Sequence, residues 1–122
     1  IVLIEGQGSL LHPGSTATLP LMRGSCPTHL VLCLRAEKET LRSPIDIRIP
    51  DINQFIALNE SLCSVFGTYP DAKVIGIAAN TSMFSEEEAK NYIQQLEEKT
   101  NIPVTDPIRY GMQEIGDIIS SN

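Results

Sequence analysis

A carboxylate and two glycines follow the first apolar run of this sequence, and residues of these types in this order could bind and activate a ligand. Glu5 comes directly after the run Ile1–Ile4, and Gly6 and Gly8 follow it. Such an apolar run is typical of a buried parallel strand. Open α/β sheets bind ligands at the carboxyl ends of these strands. Because glycines allow the backbone close to a ligand, Gly6 and Gly8 are candidate cofactor-binding residues. Glu5 is a candidate catalytic carboxylate or an indirect ligand of Mg²⁺; the alternative is that it accepts the amides of the next turn.

The loop after Glu5 is crowded with side chains that bind anions or protons: Ser9, His12, Ser15 and Thr16. Hydroxyls and the amides of a following helix can together bind an anion, so Ser9 and Ser15 are candidate substrate-binding residues. His12 is a candidate general acid or base, because an imidazole titrates near neutrality. The alternative is that Ser15 or Thr16 caps a helix and that His12 is a solvated loop residue.

A second apolar run, 74–79, ends in Asn80 and Thr81, which are candidate cofactor-binding residues. The amide of Asn80 donates and accepts hydrogen bonds in one plane, so it could recognise the edge of a nucleobase. It could equally cap the loop before Ser85. The sequence alone leaves both roles open.

Arginines supply further candidates for an anion site. Arg109 follows Asp106 by three residues and could bind a carboxylate or a phosphate of a substrate. From spacing alone, a surface ion pair between Arg109 and Asp106 is favoured. Arg42 and Arg48 are candidate anion binders in a charged loop, where solvated charge is the more common role.

Apolar runs alternate along the chain with segments of helical periodicity. The runs predict strands at 1–5, 29–34, 73–79 and 102–105. The periodic segments predict helices at 51–66, 86–99 and 107–119, with a short or broken helix within 15–23. Ser85 and Glu88 have the spacing of a capping box, and Pro107 suits a first helical position. The alternation predicts an α/β fold, with a parallel sheet of about four strands, flanking helices and an open sheet edge.

Size and charge restrict the classes of function. With 122 residues the chain is one domain at most. A net charge of −6 argues against nucleic-acid binding, which depends on a basic surface. No run approaches the roughly 20 apolar residues that cross a membrane. Three widely spaced cysteines form neither a disulfide framework nor a zinc motif, so we expect a cytoplasmic, reducing compartment.

Taken together, the motifs at the predicted strand ends resemble the C-terminal half of the domain of unknown function 1611 family. The resemblance covers nearly the whole chain and rests on motifs that follow in the family's order and spacing. They are Glu5-Gly6-Gln7-Gly8-Ser9-Leu10 with His12-Pro13, Arg48-Ile49-Pro50-Asp51-Ile52, Val74-Ile75-Gly76-Ile77-Ala78-Ala79-Asn80-Thr81, Ser85 with Glu88-Ala89, and Ile102-Pro103-Val104-Thr105-Asp106-Pro107-Ile108-Arg109-Tyr110-Gly111.

The resemblance implies a P-loop NTPase-like three-layer fold, distantly similar to dethiobiotin synthetase. Full-length members carry an N-terminal Rossmann-like domain and a phosphate loop (Walker A) upstream of the matched segment. The sequence contains no Gly-x-x-x-x-Gly-Lys-Ser/Thr. We therefore expect residues 1–122 to be the C-terminal half of a P-loop-like domain, with the missing N-terminal region of the same polypeptide as its partner.

The resemblance also implies an activity and roles for matched residues. Some family members are D-glutamate N-acetyltransferases, which transfer an acyl group from a donor such as acetyl-CoA; Mg²⁺ with ATP is the other cofactor set that the fold implies. Glu5 matches the Walker-B-like acid, and Asn80 matches the base-reading Asn of the dethiobiotin synthetase relatives. Ser9 and His12 match the loop that faces the small-molecule substrate.

Two classes of function remain open. The first is an enzyme fragment, from an N-acyltransferase or from an ATP-dependent ligase of the dethiobiotin synthetase type, with little activity by itself. The second is a non-catalytic assembly module that forms a homo-oligomer through an open sheet edge.

Overall fold

The computed structural model of the chain describes residues 1–6, 9–41 and 47–121. These residues form two compact units. The first contains Ile1–Thr28 and Lys38–Ala72, and the second contains His29–Glu37 and Lys73–Asn122. No helix among the described residues is long and apolar enough to cross a membrane.

The first unit contains helices α1 (Thr18–Ser25) and α2 (Ile52–Ser64). The predicted helix at 51–66 is confirmed. It begins where the Asp51 carboxylate accepts the amide of Asn53, at 2.9 Å, and it ends at Val65, whose φ of 47° is left-handed. Such a side-chain acceptor satisfies one of the free amides at a helix start. Ile56 and Cys63 form the buried side of α2.

The predicted strand at Ile1–Glu5 was wrong. Residues 1–6 have no regular secondary structure, and the side chains of the run are open to solvent, with Ile1 89% and Leu3 83% exposed. An apolar run in a sequence indicates that the segment favours burial. A strand forms only where a neighbouring strand pairs with it through main-chain hydrogen bonds. Among the described residues, the first unit contains no strand that pairs with this run.

The second unit is built on a parallel sheet of three strands in the order β1-β2-β3. They are β1 (His29–Arg35), β2 (Lys73–Asn80) and β3 (Val104–Thr105), each close to its predicted position. The α/β class is confirmed, with three described strands instead of about four. Central β2 is the most buried strand, because its apolar residues are covered on both faces. No described strand pairs with the outer edge of β1.

Helices α3 (Glu86–Thr100) and α4 (Gln113–Ser121) complete the second unit. The predicted capping box is confirmed: the Ser85 hydroxyl accepts the amide of Glu88, and the Glu88 carboxylate accepts the amide of Ser85. The terminus of α3 also lies close to its predicted position.

The predicted helix start at Pro107 was wrong. The Asp106 carboxylate does accept the amides of Ile108 and Arg109, which holds one turn. Gly111 then takes a left-handed φ of 78°, which a continuing helix does not allow. As a result α4 begins only at Gln113.

Gly76 in β2 is the point at which α4 packs directly on the sheet. A methyl group added there would lie 2.5 Å from Cδ1 and 2.7 Å from Cγ1 of Ile115. Ile115 is 1% exposed. The missing side chain at position 76 therefore makes the space that Ile115 fills.

Candidate functional site

The strand ends of the second unit form one edge at which polar residues collect. The register sets Arg35 of β1 beside Asn80 of β2, and Ala78 of β2 beside Thr105 of β3. Asn80 is exposed, and its Oδ1 accepts the amide of Ser82 at 3.0 Å. This bond assigns oxygen and nitrogen in the side-chain amide, so the donor group Nδ2 is the one left for other partners.

Thr81, the next residue, is fully buried on a carboxylate from the end of β3. Its main-chain amide and its hydroxyl both donate to Oδ2 of Asp106, at 2.9 and 2.5 Å. Asp106 is 3% exposed. The Thr81 hydroxyl is therefore committed to Asp106 in this conformation and has no proton left for a ligand.

Asp106 itself is a buried carboxylate with four donors. Besides the two from Thr81, Oδ1 accepts the amides of Ile108 and Arg109, at 2.9 and 3.2 Å. Burial alone would raise the pKa of the Asp106 carboxyl, but these hydrogen bonds outweigh it and hold the pKa below its usual range. Asp106 is thus charged at neutral pH and links the segments that follow β2 and β3.

The guanidinium of Arg109 strengthens the same link. Nη2 donates to the carbonyl oxygens of Phe84, at 2.6 Å, and Thr81, at 3.3 Å, and Nη1 donates to Glu86 at 3.0 Å. The ion pair with Asp106 that the sequence favours is long, at 3.8 Å from Nε to Oδ2. Arg109, a candidate substrate-binding residue, is therefore occupied by groups of its own chain.

Glu86, at the start of α3, gathers three donors. Tyr110 donates to it through its hydroxyl at 2.9 Å, and Lys90 and Arg109 lie within 3.2 and 3.0 Å. The hydrogen bond from Tyr110 is the largest cause of the lowered pKa of the Glu86 carboxyl, followed by the bond from Lys90. The negative charge also suits the amino-terminal end of a helix. This surface group connects the turn 107–110 to α3.

Three candidate residues of the first unit, Ser9, His12 and Ser15, lie in one tight loop. The amide of His12 donates to the carbonyl of Ser9, and the amide of Ser15 donates to the carbonyl of His12, each at 3.0 Å. Ser15 shares a hydrogen bond with Thr18, the first residue of α1. Nδ1 of His12 accepts the amide of Gly14 at 3.0 Å. A neutral His12 ring with this bond carries its proton on Nε2 and offers it as a donor.

Glu5 and Gly6 lie on the exposed segment that precedes this loop. A methyl group added at Gly6 would lie 2.2 Å from Cδ2 of Leu21, so the side chain of Leu21 occupies the space that the glycine leaves open. Gly8 lies outside the described residues.

The structure thus gathers the predicted site residues into two sets. The first set belongs to the first unit: Ser9, His12 and Ser15 in one loop, with Glu5 and Gly6 on the segment before it. The second set belongs to the second unit and consists of Asn80, Thr81 and Arg109. Among the described residues, no group of three or more His, Cys, Asp or Glu side chains could hold a metal ion.

A separate cavity of about 500 Å³ in the second unit is bounded by α3, β3 and the start of α4. It is lined in part by Lys90, Glu97 and Gln113, and it contains none of the predicted site residues.

Comparison with known proteins identifies the family to which the chain belongs. Residues 1–116 match the family model described as "Domain of unknown function (DUF1611_C) P-loop domain". The chain belongs to this family.

Relatives and a solved structure add detail. The chain is 36% identical over 114 residues to a protein of Pseudoalteromonas named D-glutamate N-acetyltransferase, and 32% identical over 120 residues to one of that name from Tritonibacter scottomollicae. These matches cover 93% and 98% of this chain but only 34% and 35% of the relatives. The crystal structure of a DUF1611 family protein from Anabaena variabilis matches with a TM-score of 0.89 and 44% identity, over 97% of this chain and 34% of that one. The chain therefore spans about a third of the length of the proteins it matches.

The sequence predicted Asp106 as the partner of Arg109 in an ion pair, and it assigned no role in a site to Glu86 or Tyr110. One signal in the sequence does point to the link between Thr81 and Asp106: each is a polar residue within two positions of the end of a predicted strand. No sequence pattern identifies which donors a buried carboxylate accepts.

Proposed function

We propose that this chain is the P-loop-family domain of an enzyme that transfers an acetyl group to the amine of a D-amino acid, D-glutamate or a close analogue. One observation carries the proposal: relatives named D-glutamate N-acetyltransferase match 93% and 98% of this chain at 36% and 32% identity. The remainder of the enzyme, about two thirds of the length of those relatives, would supply the other half of the active site.

The geometry of the second unit supports a role for Asn80 in holding the donor. Acetyl-CoA and ATP both contain adenine, whose ring nitrogens accept hydrogen bonds. Asn80 is exposed, its Nδ2 donates to no acceptor among the described residues, and the bond from Ser82 to Oδ1 orients the side-chain amide. The position, at the carboxyl end of a central parallel strand, is the one at which open α/β sheets bind nucleotides.

The reaction needs a proton acceptor and a proton donor. The amine nitrogen attacks the thioester carbonyl, the carbon–sulfur bond breaks, and CoA leaves as a thiolate that takes up a proton, while the amine gives one up. With the amide of Gly14 donating to Nδ1, the neutral His12 ring carries its proton on Nε2, and a thiolate is too weak a base to remove that proton. We infer that the Gly14 amide must first release Nδ1. The free nitrogen can then take the proton that the amine gives up, and the imidazolium so formed can return a proton to the thiolate.

Glu5 is the candidate acid of the first unit that could also serve a metal. Mg²⁺ is commonly held by one or two carboxylates together with substrate phosphates, so one exposed carboxylate fits such a site only where a phosphate and further ligands are supplied from outside this chain. Where ATP is the co-substrate, Glu5 would hold the ion through a water molecule; where acetyl-CoA is the sole donor, Glu5 is the alternative base for the amine.

The proposal is tested on the complete protein that carries this chain. It is incubated with acetyl-CoA and D-glutamate, with and without Mg-ATP, and the N-acetylated product is measured by mass spectrometry with L-glutamate as the control. We expect acetyl-CoA without ATP to give product from D-glutamate but not from L-glutamate. If product forms only with ATP, the enzyme is an ATP-dependent ligase and not a transferase. If no product forms with or without ATP, the proposal is overturned.

Variants test the roles of the two candidate catalytic residues. Glu5→Ala and His12→Ala are each expected to lower kcat at least tenfold, because general acid–base groups contribute about 10²–10⁴-fold. Glu87→Ala is a matched control, since Glu87 is an exposed acid at the start of α3. Wild-type turnover in folded Glu5→Ala and His12→Ala proteins would remove both residues from the mechanism.

A further inference from the structure

We propose that Asp106 is a positioning residue, which acts through Thr81 to present the side chain of Asn80 to the nucleotide end of the donor; this inference rests on the proposed function. The observation behind it is a set of hydrogen bonds that hold the loop between β2 and α3, Thr81–Ser85, to the segment after β3. We call this set the strand-end clamp; it consists of the bonds from Thr81 to Asp106 and from Arg109 to the carbonyls of Thr81 and Phe84.

The clamp determines where Asn80 can place its amide. Thr81 is covalently next to Asn80, and Asp106 holds its main-chain amide and its hydroxyl at once. Two bonds from one residue to one buried carboxylate oxygen leave little freedom of rotation at that point. The direction of the main chain as it leaves β2 at Asn80 is therefore set by Asp106, which lies 25 positions after Thr81.

The rest of the loop is held in the same manner. The carbonyl of Thr81 accepts the amide of Phe84 as well as Arg109, which closes a turn. This turn contains Ser82, whose amide fixes Oδ1 of Asn80. The ring of Phe84 lies against Tyr92 of α3, with ring centroids 5.6 Å apart. Asp106 is thus connected to the side-chain amide of Asn80 through Thr81 and through the turn that contains Ser82.

The charges of the clamp show why a carboxylate serves here. Asp106 accepts four donors and is buried, so a neutral amide in its place would turn a donor group toward some of them. Arg109 donates to Glu86 and to the carbonyls of Thr81 and Phe84. The clamp therefore orders the loop through bonds within the second unit.

Thr81 provides the experiment, because Asp106→Asn could simply fail to fold. Thr81→Val keeps the shape of the side chain and removes the hydroxyl, and Thr81→Ser keeps the hydroxyl. In the complete protein, KM for acetyl-CoA is expected to rise about tenfold in Thr81→Val, and to return to within about twofold of wild type in Thr81→Ser. KM for D-glutamate and kcat per folded enzyme should stay unchanged in both variants. Asp51→Ala, which removes the cap of α2 in the other unit, controls for a loss of stability alone.

Amide hydrogen exchange measures the loop without any ligand. The amides of Ser82 and Phe84 should exchange faster in Thr81→Val than in wild type or Asp51→Ala. If amide exchange in Thr81→Val is unchanged, or if kcat falls while KM for acetyl-CoA does not change, the clamp has only a structural role and the inference is overturned. Calorimetric titration with CoA and with Mg-ATP separates this failure from that of the proposed function: wild-type protein that binds neither would overturn both, whereas wild-type binding that Thr81→Val leaves unchanged would overturn this inference alone.

Discussion

The carboxylate of Asp106 accepts the main-chain amide and the hydroxyl of Thr81 on a single oxygen, at 2.9 and 2.5 Å. The two residues come from the ends of neighbouring parallel strands, β3 and β2. Their contact converts two separate strand-to-helix connections into one bonded edge. Asn80, the exposed residue at that edge, gains a fixed position without a side-chain bond to Asp106.

Acid should weaken this contact. The pKa of the folded Asp106 carboxyl is lowered, so the stability it contributes is fully present above its unfolded pKa of about 3.9 and is lost as pH falls through the folded value. Glu86 and Glu88 also have lowered pKa values and add a loss of the same sign. We expect chemical denaturation of wild type to show stability falling below about pH 4. The curve of Thr81→Val, which lacks one of the hydrogen bonds that lower the pKa of Asp106, should fall less steeply. Parallel curves would contradict the role of the Thr81 hydroxyl in lowering that pKa.

Gly76→Ala should lower the free energy of unfolding by about 1–3 kcal/mol, because the added methyl group meets Cδ1 and Cγ1 of buried Ile115. Gly116→Ala is the matched control in α4, where nothing lies within 4 Å of the added carbon. It should raise the free energy of unfolding by about 0.5–1 kcal/mol, since alanine favours a helix. Equal effects in denaturant titrations would show that Ile115 does not pack closely on Gly76.

The turn that delays α4 can be tested at Gly111. Its φ of 78° strains a side chain, although the space around it is open. Gly111→Ala should therefore cost about 1 kcal/mol of stability, and Gly111→Asn should cost less, because asparagine tolerates left-handed backbone. If denaturant titration shows that Gly111→Ala has wild-type stability, the turn must change its conformation to accept the side chain.

The capping box of α3 makes a separate prediction. Ser85→Ala should cost about 1 kcal/mol, since the amide of Glu88 loses its acceptor. Ser120→Ala, near the end of α4, removes only an exposed bond to a helix carbonyl and should change stability by less than about 0.5 kcal/mol. Thermal unfolding of both variants gives the comparison.

The sequence predicts much of the second unit because each element there carries its own local signal. The runs 29–34 and 73–79 have strand neighbours, and Ser85 and Glu88 define the start of α3 within four residues. The run Ile1–Ile4 carries an equally strong signal but has no pairing partner in the described part of its unit, so its structure depends on something that periodicity does not encode. Pro107 misled in a different way, because the left-handed Gly111 ends the turn that Pro107 begins.

The candidate site shows the same division. Asn80 was predicted as a ligand-binding residue from its place after a strand, which is a local property. The roles of Thr81 and Arg109 could not be assigned, because they depend on Asp106, Phe84 and Glu86, which lie 23 to 25 residues away from them in sequence. Residues that hold a loop and residues that bind a ligand look alike before their partners are known.

The most direct test is the pair of KM values, for acetyl-CoA and for D-glutamate, in the complete wild-type protein and in Asn80→Ala. Loss of one hydrogen bond from Asn80 to the adenine ring should raise KM for acetyl-CoA about tenfold. KM for D-glutamate and the free energy of unfolding should stay near the wild-type values. An Asn80→Ala enzyme with wild-type KM for acetyl-CoA would contradict the placement of the donor at this edge of the sheet.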